Sequence, residues 1–412
     1  MGRGLLWAGL TLLLVACAGS PPAPAPAVEV TSAPVAARLD AVARVVSARH
    51  AALGLPGLSV ALVDGGELVW AGGVGVAVVE TNAPATSQTV YRVGSVSKPI
   101  AATLVVRLAA QGRLDLDAPI GDAIAGLPAQ VAPLTARQIL SHTTGIRHYR
   151  YEEGEKERAE PFASVDEAIR IYGVLDEPLG FAPGTGFLYS TYAYNLLAAL
   201  VPAKTGQSFA EAVEREVFAP AGMASARMGV PGAVVPDAAG QYRRGEDGGF
   251  VAAPKVDLSW KLPGGGVLAS VEDLARYAIA LDDGTLVAPA DDERLGVYRA
   301  VVLPDGTDTG YGLGWHVKRD PDGEPWVGHG GGATGGAAYL FRRPQDDFAV
   351  AVLCNLEIKS AELQAVARAV EAAWRGEAVE VPSPATPTPP QSSRSQVRRA
   401  TPIAASRAPG MP

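Results

Sequence analysis

The chain has 412 residues, of which 48% are hydrophobic, and its formal net charge at pH 7 is −8. Because the chain is acidic and shows no stripe of basic residues interleaved with aromatic ones, nucleic acid is not expected as a partner. Only two cysteines occur, Cys17 and Cys354, so a fold held together by several disulfides is excluded.

The N-terminal end predicts export. Residues 1–16 combine a positive start at Arg3 with a short apolar core, which is typical of a lipoprotein signal peptide and too short to span a membrane. The sequence Leu-Val-Ala-Cys at residues 14–17 predicts cleavage before Cys17 and lipidation of that cysteine. An ordinary signal peptide, cut a few residues later near Ala18, is the alternative. Because Ala18 and not an aspartate follows Cys17, we expect a lipid-anchored protein of the bacterial cell envelope, at the outer membrane or periplasmic face rather than the inner membrane.

Composition divides the remaining chain into three parts. Residues 17–34 are rich in proline and alanine and predict a stiff tether. Residues 377–412 are rich in proline, serine and arginine and predict a disordered tail. Residues 35–376 are expected to form one large domain with an inserted subdomain. If Cys17 carries a lipid, Cys354 has no partner for an intrachain disulfide, and the domain is stabilised by its core alone.

The first part of this domain predicts one helix and two paired strands. The helix covers residues 35–53, and the strands cover 58–63 and 67–70 on either side of the hairpin signal Asp-Gly-Gly at 64–66. A short strand at 90–93 then precedes a helix at 100–111. The middle of the domain is mainly helical, because a capping pattern recurs at four predicted helix starts: Thr135/Gln138, Ser164/Glu167, Ser208/Glu211 and Ser270/Asp273.

Strands return near the end of the domain, at residues 312–317, 326–328, 337–341 and 348–354, and a final amphipathic helix covers 361–374. Strands at both ends with helices between them predict an α+β fold (an α/β sandwich). We expect a mostly antiparallel sheet built from the N- and C-terminal segments, flanked by the terminal helices, with a helical subdomain inserted. The strand–helix alternation of a doubly wound parallel sheet is absent.

Ser95 and Lys98 form the arrangement of a lysine-assisted serine nucleophile. Pro99 fits only the first turn of a helix, so the helix begins near Ser95. The spacing of three residues then places Lys98 on the same face as Ser95, at the positive end of the helix dipole. A helix cap is the alternative role for Ser95.

Two later segments belong with the motif formed by Ser95 and Lys98. Tyr189-Ser190-Thr191 precedes an amphipathic helix predicted at 195–203, and His329-Gly330-Gly331-Gly332 ends a predicted strand. With these segments the chain resembles the serine β-lactamase and penicillin-binding protein superfamily, in particular its class C-like branch of DD-peptidases, esterases and the mitochondrial β-lactamase-like peptidase. The resemblance covers about residues 40–375 and also rests on these motifs: Tyr91-Arg92-Val93-Gly94-Ser95, Leu140-Ser141-His142-Thr143-Thr144-Gly145-Ile146, Gly264-Gly265-Gly266 before Asp273-Leu274, and Tyr311-Gly312-Leu313-Gly314-Trp315.

The resemblance implies roles for individual residues. Ser95 is the nucleophile, Lys98 assists loss of its proton, and Tyr189 acts as general base and then acid. The backbone N–H groups of Ser95 and Gly332 hold the oxyanion. The remaining predicted substrate-binding residues are His329, Gly330, Gly331 and Thr191. An adjacent ammonium is expected to lower the pKa of Tyr189 from its usual value near 10.

Two positions depart from the strictest family pattern. The second motif often ends in asparagine, but here it ends in Thr191, for which a helix cap is the alternative role. The third motif often begins with lysine, but here it begins with His329, which is expected to be mostly neutral. Because the site then binds a substrate carboxylate weakly, we expect an ester or amide (peptide) substrate, with peptidoglycan-derived peptides among the candidates. A class C-type β-lactamase, a D-Ala-D-Ala carboxypeptidase and an inactive cell-wall peptide sensor are the alternatives.

Other candidate motifs give weaker support for a catalytic or binding role. Lys204-Thr205-Gly206 spells a common third motif, but Gly206 is predicted to end a helix, so we reject it. No His/Cys/Asp cluster has metal-ligand spacing and no glycine run is a phosphate loop, so no metal and no cofactor are predicted. His142 is expected to end a helix near the site. The other three histidines, His50, His148 and His316, are expected to be structural or exposed.

Overall fold

The computed structural model describes residues 33–150, 173–230 and 232–380. The predicted signal peptide, Cys17, nearly all of the predicted tether and most of the predicted tail lie outside these ranges, as does the predicted Ser164/Glu167 cap. Within them, no helix is both long enough and apolar enough to cross a membrane.

Strands occur early and late in the described chain, with shorter ones between. They are β1 (Gly57–Asp64), β2 (Glu67–Val78), β3 (Ala83–Pro84), β4 (Tyr91–Arg92), β5 (Arg227–Met228), β6 (Tyr242–Arg244), β7 (Phe250–Ala252), β8 (Val267–Ala269), β9 (His316–Arg319), β10 (Pro325–Ala333), β11 (Gly336–Arg343) and β12 (Phe348–Cys354).

Seven of these strands form one sheet in the order β3-β2-β1-β12-β11-β10-β9, with every pairing antiparallel. The N- and C-terminal segments meet where β1 pairs with β12, with Val60 opposite Val352. Two smaller sheets, β4-β8-β5 and β6-β7, belong to the middle of the chain. The predicted fold class and the sheet built from both ends of the domain are therefore confirmed.

The helices of the described chain are α1 (Ala33–Leu53), α2 (Ser97–Ala110), α3 (Ala136–Leu140), α4 (Thr191–Asn195), α5 (Leu197–Thr205), α6 (Phe209–Val213), α7 (Leu262–Gly265), α8 (Val271–Asp282), α9 (Pro289–Leu295) and α10 (Ser360–Arg375). The capping boxes predicted at residues 135, 208 and 270 are present at the starts of α3, α6 and α8. The first helix begins at Ala33, two residues before the predicted start of the domain.

The large sheet is buried on both faces because its central strands alternate between two apolar clusters. Leu58, Val60 and Leu62 of β1 pack in the cluster formed with α1 and α10. Ala61 and Val63 point to the opposite face and join the core that surrounds α2 and α8. This second core holds the N-terminus of α2, and with it the candidate site, against the sheet.

The strands β2 and β10 extend beyond their predicted ends at residues 70 and 328, and two further predicted elements differ from the observed ones. The strand predicted at 312–317 is wrong, since Gly314 has φ of +86°, which an extended strand does not allow, and the strand β9 begins only at His316. The single helix predicted at 195–203 is two helices, α4 and α5, which meet at Leu196. Gly206 ends α5 in the left-handed conformation, as expected for a helix C-terminus.

Candidate active site

The turn before α2 places Ser95 at the start of a buried helix. A single 3-10 turn begins at Gly94, and α2 follows at Ser97. The hydroxyl of Ser97 donates to the Gly94 carbonyl at 2.7 Å and accepts the N–H of Val267 at 3.0 Å, which ties this turn to β8. Pro99 lies in the first turn of the helix, where its missing N–H costs no hydrogen bond.

Lys98 connects Ser95 to two other parts of the chain. Its Nζ atom lies 3.2 Å from Ser95 Oγ, 2.9 Å from Thr191 Oγ1 and 2.8 Å from the carbonyl oxygen of Gly264. The side chain is fully buried. The alternative that Ser95 is only a helix cap is wrong, because the N-cap of α2 is Val96 and no side chain caps this end of the helix.

Burial favours the uncharged form of Lys98. Removal from water disfavours the ammonium, and the charge of Lys261 adds repulsion, so the pKa of Lys98 lies well below its usual value. A neutral amine has two N–H groups and one lone pair. With the Gly264 carbonyl and the Thr191 hydroxyl as acceptors for the two N–H groups, the lone pair is left for the proton of Ser95.

Tyr189 is another side chain next to Ser95. Ser95 lies close enough to the phenol of Tyr189 to favour its phenolate, and the Lys98 Nζ atom lies 4.7 Å from the centre of the Tyr189 ring. Burial raises the pKa of Tyr189 above its usual value. The expected lowering of this pKa is therefore wrong, because the phenolate would lose its hydration in this environment. At neutral pH the group is a proton donor.

The second motif is held by the start of α4. Ser190 is the N-cap of this helix, since its hydroxyl accepts the N–H of Ala193 at 3.0 Å, so the capping role considered for Thr191 is wrong. Thr191 is buried, with its hydroxyl directed at Lys98. Its N–H is accepted by Nδ1 of His148 at 3.1 Å. The structure therefore places Thr191 behind the amine, and its predicted contact with substrate stays a prediction.

The third motif lies on β10, directly against the turn that carries Ser95. A Cβ atom on Gly94, whose φ is +52°, would lie 2.5 Å from the carbonyl oxygen of Gly332. A Cβ atom on Gly331 would lie 1.9 Å from the carbonyl oxygen of Val93. Glycine at both positions permits this approach of two backbones. It brings the two N–H groups predicted to hold the oxyanion, those of Ser95 and Gly332, into the same small region.

His329 is buried in this strand. Its Nδ1 atom donates to the Gly330 carbonyl at 2.7 Å, which leaves Nε2 to accept the hydroxyl of Tyr311 at 2.9 Å. Burial, together with the nearby charges of His316 and Lys98, lowers the pKa of His329 well below its usual value. The imidazole is therefore neutral at pH 7, as expected from the sequence. Its predicted role in substrate binding stays a prediction.

Sequence reasoning placed His142 near the site at the end of a helix, and the structure confirms this position, but it gave neither His142 nor Tyr311 a role there. His142 packs its ring against Tyr189, and Tyr311 bonds to His329. Both lie in motifs that carry the resemblance, which was the available signal. Among the described residues, no group of three or more His, Cys, Asp or Glu side chains is placed to hold a metal ion.

Comparison with known proteins agrees with this geometry. The family model described as Beta-lactamase matches residues 42–373, which is most of the chain. The chain belongs to the beta-lactamase family. As a member of this family of serine hydrolases, it is a serine hydrolase whose relatives include peptidases, esterases and penicillin-binding proteins.

Relatives of this beta-lactamase family member include a beta-lactamase-like protein, an esterase and a penicillin-binding protein homologue. The mitochondrial serine beta-lactamase-like protein LACTB of Bos taurus is 24% identical over 74% of this chain and 74% of its own length. The esterase EstB of Burkholderia gladioli is 35% identical over 47% of this chain and 51% of its own length. The octameric penicillin-binding protein homologue from Pyrococcus abyssi superposes with a TM-score of 0.70 at 25% identity, covering 82% of this chain and 77% of that one.

Proposed function

We propose that this serine hydrolase cleaves an ester or amide (peptide) bond through an acyl-enzyme on Ser95. The observation that carries the proposal is that one hydroxyl lies beside both a buried amine and a half-buried tyrosine. Lys98 and Tyr189 both contact Ser95, and the surroundings of each favour its uncharged form. A neutral amine accepts a proton and a neutral phenol donates one, so the pair supplies both halves of acid–base catalysis.

The steps follow from these positions. Lys98 takes the proton of Ser95 while its oxygen attacks the substrate carbonyl carbon. The N–H groups of Ser95 and Gly332 stabilise the resulting oxyanion. As the tetrahedral intermediate collapses, Tyr189 gives its proton to the leaving alcohol or amine and regains one from the Lys98 ammonium. Water then attacks the acyl-enzyme, releases the acid and returns a proton to Ser95.

The lack of a positive charge at the third motif favours substrates without a carboxylate next to the reacting bond. His329 is neutral, and both its ring nitrogens have partners within the protein. A lysine at this position would offer a fixed positive charge, but the neutral imidazole does not. The esterase relative is consistent with this preference. Peptidoglycan-derived peptides are the natural candidates among amides, with β-lactam hydrolysis and D-Ala-D-Ala cleavage as alternatives.

Export and lipid anchoring are part of the proposal, supported by the sequence of residues 1–17. Expression of the full chain in a bacterium fed an alkyne-tagged fatty acid tests them, with Cys17→Ser as the control. Tag incorporation that depends on Cys17 supports the anchor. A mature N-terminus near Ala18 without lipid would support the ordinary signal peptide instead.

The hydrolase activity is tested by a turnover panel of p-nitrophenyl esters, D-alanyl peptides and nitrocefin, with Ser95→Ala as the matched inactive variant. Labelling by a fluorophosphonate and by a fluorescent penicillin, followed by intact mass spectrometry, separates the alternatives. Labelling of Ser95 by the first probe and not the second supports the esterase or peptidase. Rapid nitrocefin turnover would replace it with a β-lactamase, and no labelling or turnover by any reagent would leave the inactive sensor.

A further inference from the structure

His142 occupies a position that a glycine would fill more easily. It follows α3 with φ of +59°, in the left-handed region that residues with a Cβ atom avoid. Its imidazole is completely buried, and among the described residues no hydrogen-bond partner reaches its Nε2 atom. Backbone strain and an unpaired buried N–H group both reduce stability. The other contacts of the side chain must therefore offset these costs.

The contacts of His142 surround Tyr189. Its carbonyl oxygen accepts the N–H of Leu188 at 2.9 Å, and its Nδ1 atom accepts the N–H of Ser190 at 3.1 Å. Its ring packs on the Tyr189 ring, with 4.3 Å between the centroids. The residues before and after Tyr189 are thus bonded to the same histidine that contacts its ring.

These bonds also determine the tautomer of His142. Because the N–H of Ser190 can only donate, Nδ1 carries no proton and the neutral ring holds its hydrogen on Nε2. Burial, followed by the proximity of Lys98, lowers the pKa of His142 well below its usual value. The acceptor is therefore available throughout the neutral pH range.

We propose that His142 is a positioning residue that holds the phenol of Tyr189 on the oxygen of Ser95. The inference rests on the proposed function, in which Tyr189 moves the proton to the leaving group. His142 touches neither substrate nor the reacting oxygen, and it acts through the backbone on both sides of Tyr189 and through the ring.

Two substitutions separate the acceptor from the ring. In His142→Asn the Oδ1 atom is bonded to Cγ, as Nδ1 is in histidine, so it reaches the Ser190 N–H, and asparagine tolerates a positive φ. In His142→Phe the ring remains and the acceptor is lost. We expect the phenylalanine variant to lose about 100-fold in kcat on a p-nitrophenyl ester with little change in KM, since misplacement of a catalytic group by about 1 Å has this effect. The asparagine variant should recover most of this loss.

The proposal is overturned if His142→Phe turns over at the wild-type rate, or if His142→Asn is as slow as His142→Phe. If a variant does not fold, a measurement on the wild-type protein still tests the proposal. The chain has five histidines, and ¹⁵N-histidine NMR reports the tautomer of each. We expect His142, assigned by its absence in the asparagine variant, to keep its proton on Nε2 from pH 5 to 8. A proton on Nδ1 or a titration in this range would refute the proposal.

Fluorophosphonate labelling of the wild-type protein keeps the two proposals apart. If Ser95 is labelled and His142→Phe is fully active, only the role of His142 fails. If the wild-type protein is neither labelled nor active, the proposed function fails, and the tautomer of His142 still tests whether its Nδ1 atom accepts the Ser190 N–H.

Discussion

Lys98 lies closer to the hydroxyl of Thr191, at 2.9 Å, than to the hydroxyl of Ser95, at 3.2 Å. Thr191 therefore orients the amine that is proposed to take the serine proton. Thr191 stands where the family's second motif ends, and in this chain its hydroxyl contacts Lys98.

Replacement of Thr191 by valine should slow acylation, because valine has the same shape but accepts no hydrogen bond from Lys98. We expect kcat/KM on a p-nitrophenyl ester to fall by about tenfold, the value of one neutral hydrogen bond of roughly 1.4 kcal/mol. Thr191→Ser keeps the acceptor and should remain close to wild type. Equal losses in both variants would contradict this role for the hydroxyl.

Lys98→Arg should be almost inactive although arginine is also a basic residue. A guanidinium does not lose its proton at accessible pH, so it cannot serve as the base that the lowered pKa of Lys98 allows. We expect a loss of at least about 100-fold in kcat, as for removal of general-base help. Single-turnover kinetics with a chromogenic ester measures this loss, and an active arginine variant would show that a permanent charge suffices.

The two glycines beside Ser95 should respond oppositely to alanine. A Cβ atom on Gly331 meets the carbonyl oxygen of Val93 at 1.9 Å, whereas a Cβ atom on Gly332 has nothing within 4 Å. Gly331→Ala must push β10 away from the α2 turn and so should abolish labelling of Ser95 by a fluorophosphonate. Gly332→Ala is the matched control and should remain labelled. Similar labelling of both variants would mean that the approach of the two backbones is not needed.

His329→Lys should shift the substrate preference. An ammonium near Ser95 attracts a substrate carboxylate, which the neutral imidazole does not. The ratio of kcat/KM for a carboxylate-bearing substrate, such as nitrocefin, to that for a neutral p-nitrophenyl ester is expected to rise. An unchanged ratio would argue against our account of the third motif, and thermal unfolding of the variant checks that the fold is intact.

Asp292 is expected to make stability fall with rising pH. Burial raises its pKa to about 7, partly opposed by Arg342, and among the described residues its Oδ1 atom has no partner. Between about pH 4 and pH 7 the unfolded chain loses this proton and the folded chain keeps it, so unfolding becomes easier as pH rises. Asp292→Asn should therefore raise the Tm at pH 8 by a few degrees and leave it nearly unchanged at pH 4.

The neighbouring Asp291→Asn is the control for this measurement. Asp291 lies on the same helix, where it pairs with Arg294 at 2.7 Å. If both variants change the Tm at pH 8 equally, the effect comes from the net charge of α9 and not from the burial of Asp292.

Part of the fold was predictable because its signals are local. The alternation of apolar residues, the Asp-Gly-Gly turn and three capping boxes depend on residues within a few positions of one another, and they fix β1, β2, α3, α6 and α8. The strand β4 was predicted within residues 90–93, but its pairing with β8 and the break at Leu196 were not, since tertiary pairing and packing decide them.

The sequence by itself determined that Ser95 and Lys98 stand together, because one helical turn joins them and Pro99 marks where that turn begins. Only the tertiary structure decided what surrounds them. The placement of Thr191 behind the amine, the packing of His142 on Tyr189 and the raised pKa of Tyr189 arise from segments distant in the chain. The loss of hydration of a group depends on all the residues packed around it, and these residues come from distant parts of the chain, so no short stretch of sequence predicts it.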